Sequence, residues 1–167
     1  MKTPMTPGGP VVDIHGHTYL EDEASIDRVA ATARAHGVDR VVLLGDVIAF
    51  GYHPTIEQVR AINDATAASV ARHPQLYVGF CFVNPENDTD LTLREIEHRV
   101  VDQGFRGIKM EASINARSSR LDPILARARE LGVPLLHHAW YKSEPAAENE
   151  STPADIAELA SRHPEVT

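Results

Sequence analysis

The sequence predicts an α/β protein of the (β/α)8 TIM-barrel type, with about five of the eight βα units present. Three observations predict it. Five apolar, β-rich runs recur, with starts about 30 residues apart, the length of one βα unit. None of the runs alternates polar and apolar residues, as near-continuous Val, Leu and Ile does in parallel strands covered on both faces. The segments between them carry helix start and stop signals.

The first run, Val11–Ile14, follows a lead-in at residues 1–10 that is rich in Pro, Gly and Thr and is expected to be flexible. The domain is expected to span residues 11–167. A helix over about Ser25 to His36 ends at Gly37. The second run is Arg40–Leu44. Thr55-Ile-Glu-Gln58 then forms a capping box, Ile56, Val59, Ile62 and Val70 keep helical spacing, and His73-Pro74 stops the helix. The third run, Leu76–Val83, is read as one strand, followed by a helix over about Asp90 to Gln103 that ends at Gly104. The fourth run is Phe105–Met110. Asp122 is expected to cap the next helix, with Pro123 at its first position and Gly132 at its end. The fifth run is Val133–His137. Thr152-Pro153 opens a last helix that His163-Pro164 closes, and residues 164–167 look like the start of a sixth strand.

Composition narrows the function. Hydrophobic residues make up 43% of the 167, enough for a core. The formal net charge is -8, and no Lys/Arg-rich run appears, which disfavours nucleic acid and anionic membrane as partners. No apolar stretch is long enough to span a bilayer. A single cysteine, Cys81, excludes an internal disulfide, and a reducing cytoplasm is the expected compartment. The expected partner is a small-molecule substrate, with a homo-oligomer as a further expectation.

In a βα barrel, chemistry sits at the C-terminal ends of the strands. Nine histidines can be sorted by that rule. His36, His73 and His163 fall at helix C-termini, where a donor satisfies free carbonyls. His15, His17, His137 and His138 fall at strand ends. His15 and His17 are two apart, so both imidazoles point to one face and can reach one ion, with Gly16 leaving room between them. Asp13 shares that face and is expected to orient a ligand from behind. His137 and His138 are neighbours, so at most one points inward and the other supports it. Alternation does not choose between them. Lys109 and Glu111 share a face at the end of the fourth strand. They are candidate catalytic residues, with a plain rim ion pair as the competing reading. Three neutral imidazoles with a carboxylate and water suit Zn2+ or a similar borderline divalent ion, with Mn2+ or another divalent ion as the alternative. Such a site activates water or polarises a carbonyl.

Taken in order, Asp13-Ile-His-Gly-His-Thr18, Gly104-Phe-Arg-Gly-Ile-Lys-Met110, Gly132-Val-Pro-Leu-Leu-His-His138 and Thr152-Pro-Ala-Asp-Ile-Ala-Glu-Leu-Ala160 resemble the amidohydrolase-related superfamily. The closest branch looks like the amidohydrolase 2 group, which also includes metal-dependent decarboxylases of the aminocarboxymuconate-semialdehyde type. The resemblance implies that His15 and His17 are first-strand metal ligands. It places the fifth-strand ligand four residues after Pro134, at His138. Family members often carry a histidine where this chain has Glu111. The family's sixth-strand histidine and eighth-strand aspartate have no counterpart before Thr167, so the chain resembles the N-terminal five units and by itself is expected to be inactive. The implied activity is metal-dependent hydrolysis of an amide- or lactone-like C–N or C–O bond, with decarboxylation as the alternative. Two further readings remain: a PHP-type phosphoesterase, which shares the opening motif, and an inactive half-barrel that serves only for association.

Overall fold

The computed structural model describes residues 9–20, 22, 24–141 and 149–167. Most of the N-terminal lead-in therefore lies outside the described residues. Strands and helices alternate in the predicted order. They are β1 (Val12–Gly16), α1 (Ser25–Ala35), β2 (Arg40–Leu43), α2 (Ile56–Arg72), β3 (Tyr77–Gly79), β4 (Cys81–Val83), α3 (Thr89–Glu97), β5 (Ile108–Met110), α4 (Asp122–Leu131), β6 (Leu135–His137) and α5 (Pro153–Arg162).

Every strand pairing is parallel, with β2 between β1 and β3, and β5 between β4 and β6. The predicted single run Leu76–Val83 is divided, which corrects that expectation. Its first half pairs with β2 and its second half with β5. Phe80 stands at the changeover, donating its N–H to the Leu43 carbonyl at 2.9 Å, while the Cys81 N–H goes to Gly107 at 2.8 Å. A staggered strand in a barrel-type sheet meets its two neighbours at different heights. Beyond the changeover the Phe82 backbone faces away from β5, and Asn63 of α2 completes it. The Asn63 amide donates to the Phe82 carbonyl at 3.0 Å and accepts from the Phe82 N–H at 2.8 Å.

Two helix starts and ends differ from expectation. α3 stops at Glu97 and continues as one π-helical turn, His98–Asp102. Buried Arg99, within this turn, binds Glu95 at 2.6 Å and Asp64 at 2.7 Å. Asp122 does not cap α4. A short 3-10 turn, Ser119–Leu121, precedes the helix, so Asp122 already lies within it. The Asp122 carboxylate instead receives Arg162 and His163 from the end of α5. The same clamp occurs one layer away, where Arg72 and His73 at the end of α2 both bind Asp27 in the first turn of α1. Arg-His-Pro stands at both helix ends. Of the three helix-end histidines, His36 uses its ring on a carbonyl of its own helix, Thr32 O at 2.9 Å, whereas the rings of His73 and His163 bind Asp27 and Asp122.

Three buried clusters hold the helices on the sheet. α1 packs Ile26, Ala30 and Ala33 on Val41, Leu43 and Tyr77. α2 packs Ile56, Val59 and Ile62 against Val47 and Phe82. The largest lies between β4, β5 and helices α3 to α5, around Val83, Ile96, Phe105, Ile108, Leu121 and Leu125. β1 departs from the prediction of strands covered on both faces. Val12 is 46% and Ile14 61% exposed, and among the described residues β1 pairs with β2 alone. At the other side of the sheet the Leu135 N–H donates to the Thr167 carbonyl at 2.8 Å, but residues 164–167 form a turn and not the expected start of a sixth strand.

Candidate metal centre

The C-terminal strand ends open on one cavity of about 720 Å3. Six of the seven residues singled out from sequence line it: His15, His17, Lys109, Glu111, His137 and His138. Asp13 does not. Its carboxylate accepts the backbone N–H of His15 at 3.0 Å, so it holds the main chain of a candidate ligand and not its ring.

His15 and His17 follow the two-residue rule. Their rings stand 5.0 Å apart between centroids and tilt by 57°. The β1–β2 register shifts between Asp13 and Gly16. A Cβ at Gly16 would come within 2.7 Å of Val41 and 3.1 Å of the Val42 carbonyl, so the space that Gly16 leaves is for β2. His17 Nδ1 donates to the Gly45 carbonyl at 2.9 Å, leaving Nε2 as the ligating atom of that ring. Gly45 is held at φ 82, a left-handed conformation at the end of β2. The His15 pKa is lowered, first by burial, then by Lys109 and His17, with Glu111 and Asp13 opposing. These influences match a shared pocket and favour the neutral, metal-binding imidazole.

Lys109 is completely buried in β5, with its ammonium 2.6 Å from Glu111 Oε1. Burial lowers its pKa and Glu111 opposes that shift. The pair is not a rim contact, since Glu111 is also buried. Glu111 Oε2 lies 3.4 Å from His138 Nδ1. His138 Nε2 donates to Glu150 Oε1 at 3.1 Å, and the ring stacks on Trp140 at 6.3 Å and 14°. Alternation predicts one of His137 and His138 inside, yet both touch the cavity, because β6 ends at His137 and His138 has left the strand. His137 Nδ1 donates to the His138 carbonyl at 2.7 Å, and burial lowers its pKa.

Glu150, Trp140, Tyr19 and Tyr52 also line the cavity and were not singled out from sequence. Glu150 sits two residues before the Thr152 capping box, in the loop after the fifth strand position. The rule that chemistry gathers in such loops would have pointed to it. The site's chemistry suits a divalent cation: imidazoles with lowered proton affinity or a fixed tautomer, beside buried carboxylates. Among the described residues no three His, Cys, Asp or Glu side chains are gathered tightly enough to hold an ion as they stand. His138 is turned onto carboxylates, so ligation would require that group to close on the His15–His17 pair.

A family model described as Amidohydrolase matches residues 12–167. Solved structures share the fold. A 2,6-dihydroxybenzoate decarboxylase from Rhizobium superposes with a TM-score of 0.75 at 18% identity, covering 96% of this chain and 65% of that one. A 5-carboxyvanillate decarboxylase from Sphingomonas paucimobilis gives 0.71 at 15%, covering 95% and 66%. A dihydroxybenzoic acid decarboxylase from Polaromonas sp. JS666, solved with manganese and 2-nitroresorcinol, gives 0.63 at 21%, covering 93% and 54%. The chain thus spans about two thirds or less of the length of these structures.

Proposed function

Because the chain belongs to the amidohydrolase family, we propose that it carries the main metal-binding wall of a metal-dependent enzyme acting on a small molecule. His15, His17 and His138 are its proposed ligands. One observation carries this reading: candidate ligands from β1 and β6 share a single cavity with the buried Lys109–Glu111 pair. A divalent cation bound there would polarise a substrate oxygen or supply an activated water. The manganese in the Polaromonas structure makes Mn2+ as suitable a choice as Zn2+.

Hydrolysis of an amide- or lactone-like bond is the first reading for the reaction. It is supported by the buried carboxylates Glu111 and Glu150 and the Lys109 ammonium, which bring acid–base and charged groups to the one cavity. Decarboxylation is the second. It is favoured by Tyr19, Tyr52 and Trp140 around the cavity, which suit a flat aromatic acid, and by the substrates in the names of the structures above. The metal reading is tested by elemental analysis of the protein and its His15→Ala/His17→Ala variant. Unchanged metal content in the variant refutes it. The reaction is tested with a panel of amides, lactones and carboxylated aromatics, followed by product NMR and CO2 release.

A further inference from the structure

Glu150 is fixed in place by more than its own side chain. Its carbonyl accepts from the Asn115 amide at 3.3 Å. Its neighbour Ser151 forms a parallel bridge with Ala139, takes the Trp140 N–H at 2.9 Å on its carbonyl, and takes the Ala116 N–H at 2.9 Å on its hydroxyl. The α5 capping box begins at the next residue. This backbone, tied to two loops and a helix start, delivers a buried carboxylate onto one nitrogen of His138.

We propose that Glu150 is a positioning residue for the metal centre, which holds the His138 ring through Nε2–H and keeps Nδ1, which lies 3.4 Å from Glu111 Oε2, as the atom that would ligate an ion. The inference rests on the proposed role of His138 as a ligand and goes beyond it by naming the group that orients it. The two ring nitrogens are not equivalent. The contact to Glu150 is a hydrogen bond at 3.1 Å, whereas Glu111 stands 3.4 Å from Nδ1 and is already engaged by Lys109 at 2.6 Å. A carboxylate only accepts, so the Glu150 bond places the proton on Nε2 and leaves the Nδ1 lone pair for an ion. Stacking on Trp140 sets the remaining freedom, the plane of the ring. Carboxylates behind ligating histidines fix the tautomer and raise ligand basicity, and their loss costs about 10–100-fold in metal affinity.

The test is Mn2+ binding to the 167-residue chain by calorimetry, without substrate. Glu150→Ala is expected to weaken affinity by about 10–100-fold, and Glu150→Gln, which still accepts from Nε2–H, by less. In a His138→Ala background Glu150→Ala should add no further loss, since its effect passes through that ring. Metal-free thermal unfolding of each variant checks the fold, and the near-isosteric Gln variant carries the comparison if the Ala variant unfolds. Unchanged affinity in a folded Glu150→Ala variant overturns the inference while leaving the metal reading intact. An undiminished loss in the His138→Ala background also overturns it, because Glu150 would then be a ligand itself. A wild-type chain that binds no Mn2+ overturns the metal reading and this inference together.

Discussion

At Gly45 a left-handed backbone does two things at once. It turns the chain off β2, and it aims the carbonyl that receives His17 Nδ1. A Cβ there would stand 2.5 Å from Ile62 in the core of α2. Gly45→Ala is therefore expected to lower stability by at least the 1–3 kcal/mol typical of a strained backbone, roughly, and to weaken metal binding as well, as denaturant unfolding and calorimetry would show. Asn63 has a comparable role in the interior, where its amide satisfies the Phe82 backbone and Glu95 together. Asn63→Ala leaves the Phe82 N–H and carbonyl buried without these bonds, while Glu95 keeps Arg99, and a loss of about 1–3 kcal/mol is expected in urea melts, with the slope of the transition unchanged. Neither role was legible in the sequence. What was legible was parity: His15 with His17 and Lys109 with Glu111 share a cavity because residues two apart on a strand share a face. Glu150 escaped because a loop has no such period, and its place is set by contacts with residues far away in the chain. The Cys81 thiol is fully buried, and desolvation pushes its pKa up.

The helices were legible where local chemistry decides them. The Thr55 and Thr152 capping boxes both form, and Gly132 closes α4 at φ 65. They were not legible where a distant partner decides. Asp122 has the composition of a cap, but it serves the clamp with Arg162 and His163. The matching clamp at Asp27 carries a pH signature. Its carboxyl is held below the ordinary aspartate value, first by the hydrogen bond from His73 and also by Arg72. A depressed folded pKa means that the contribution is complete above the unfolded value, about 3.9, and is lost as pH falls through the lowered folded value. Asp27→Asn should thus destabilise the chain at neutral pH, and the difference from wild type should shrink as pH drops below about 4. Thermal melts across that range measure it. A gap that stays constant with pH would show that the clamp works without the charge.

The order of five parallel strand positions and their helices followed from run spacing, since each βα unit closes on its neighbour and little in it depends on the rest of the chain. The bareness of β1 did not follow, because periodicity reports that a face is apolar and not what covers it. With Val12 and Ile14 exposed along a strand edge, the 167-residue chain is expected to self-associate. Ile14→Lys should shift its sedimentation toward the monomer without lowering the melting temperature. The divided third strand has a different consequence, one of cooperativity. Among the described residues only this strand joins the pairing of β1–β3 to that of β4–β6, and the three apolar clusters are distributed across the junction. The molecule is therefore expected to open in two stages. Amide protons of Ile108 and Met110, beneath the largest cluster, should exchange with deuterium only when the whole chain unfolds. Those of Val41 and Val42, next to the bare edge, should exchange through a smaller opening that needs less denaturant. The changeover at Phe80 would then mark the border between a half that can loosen and a half that stays closed.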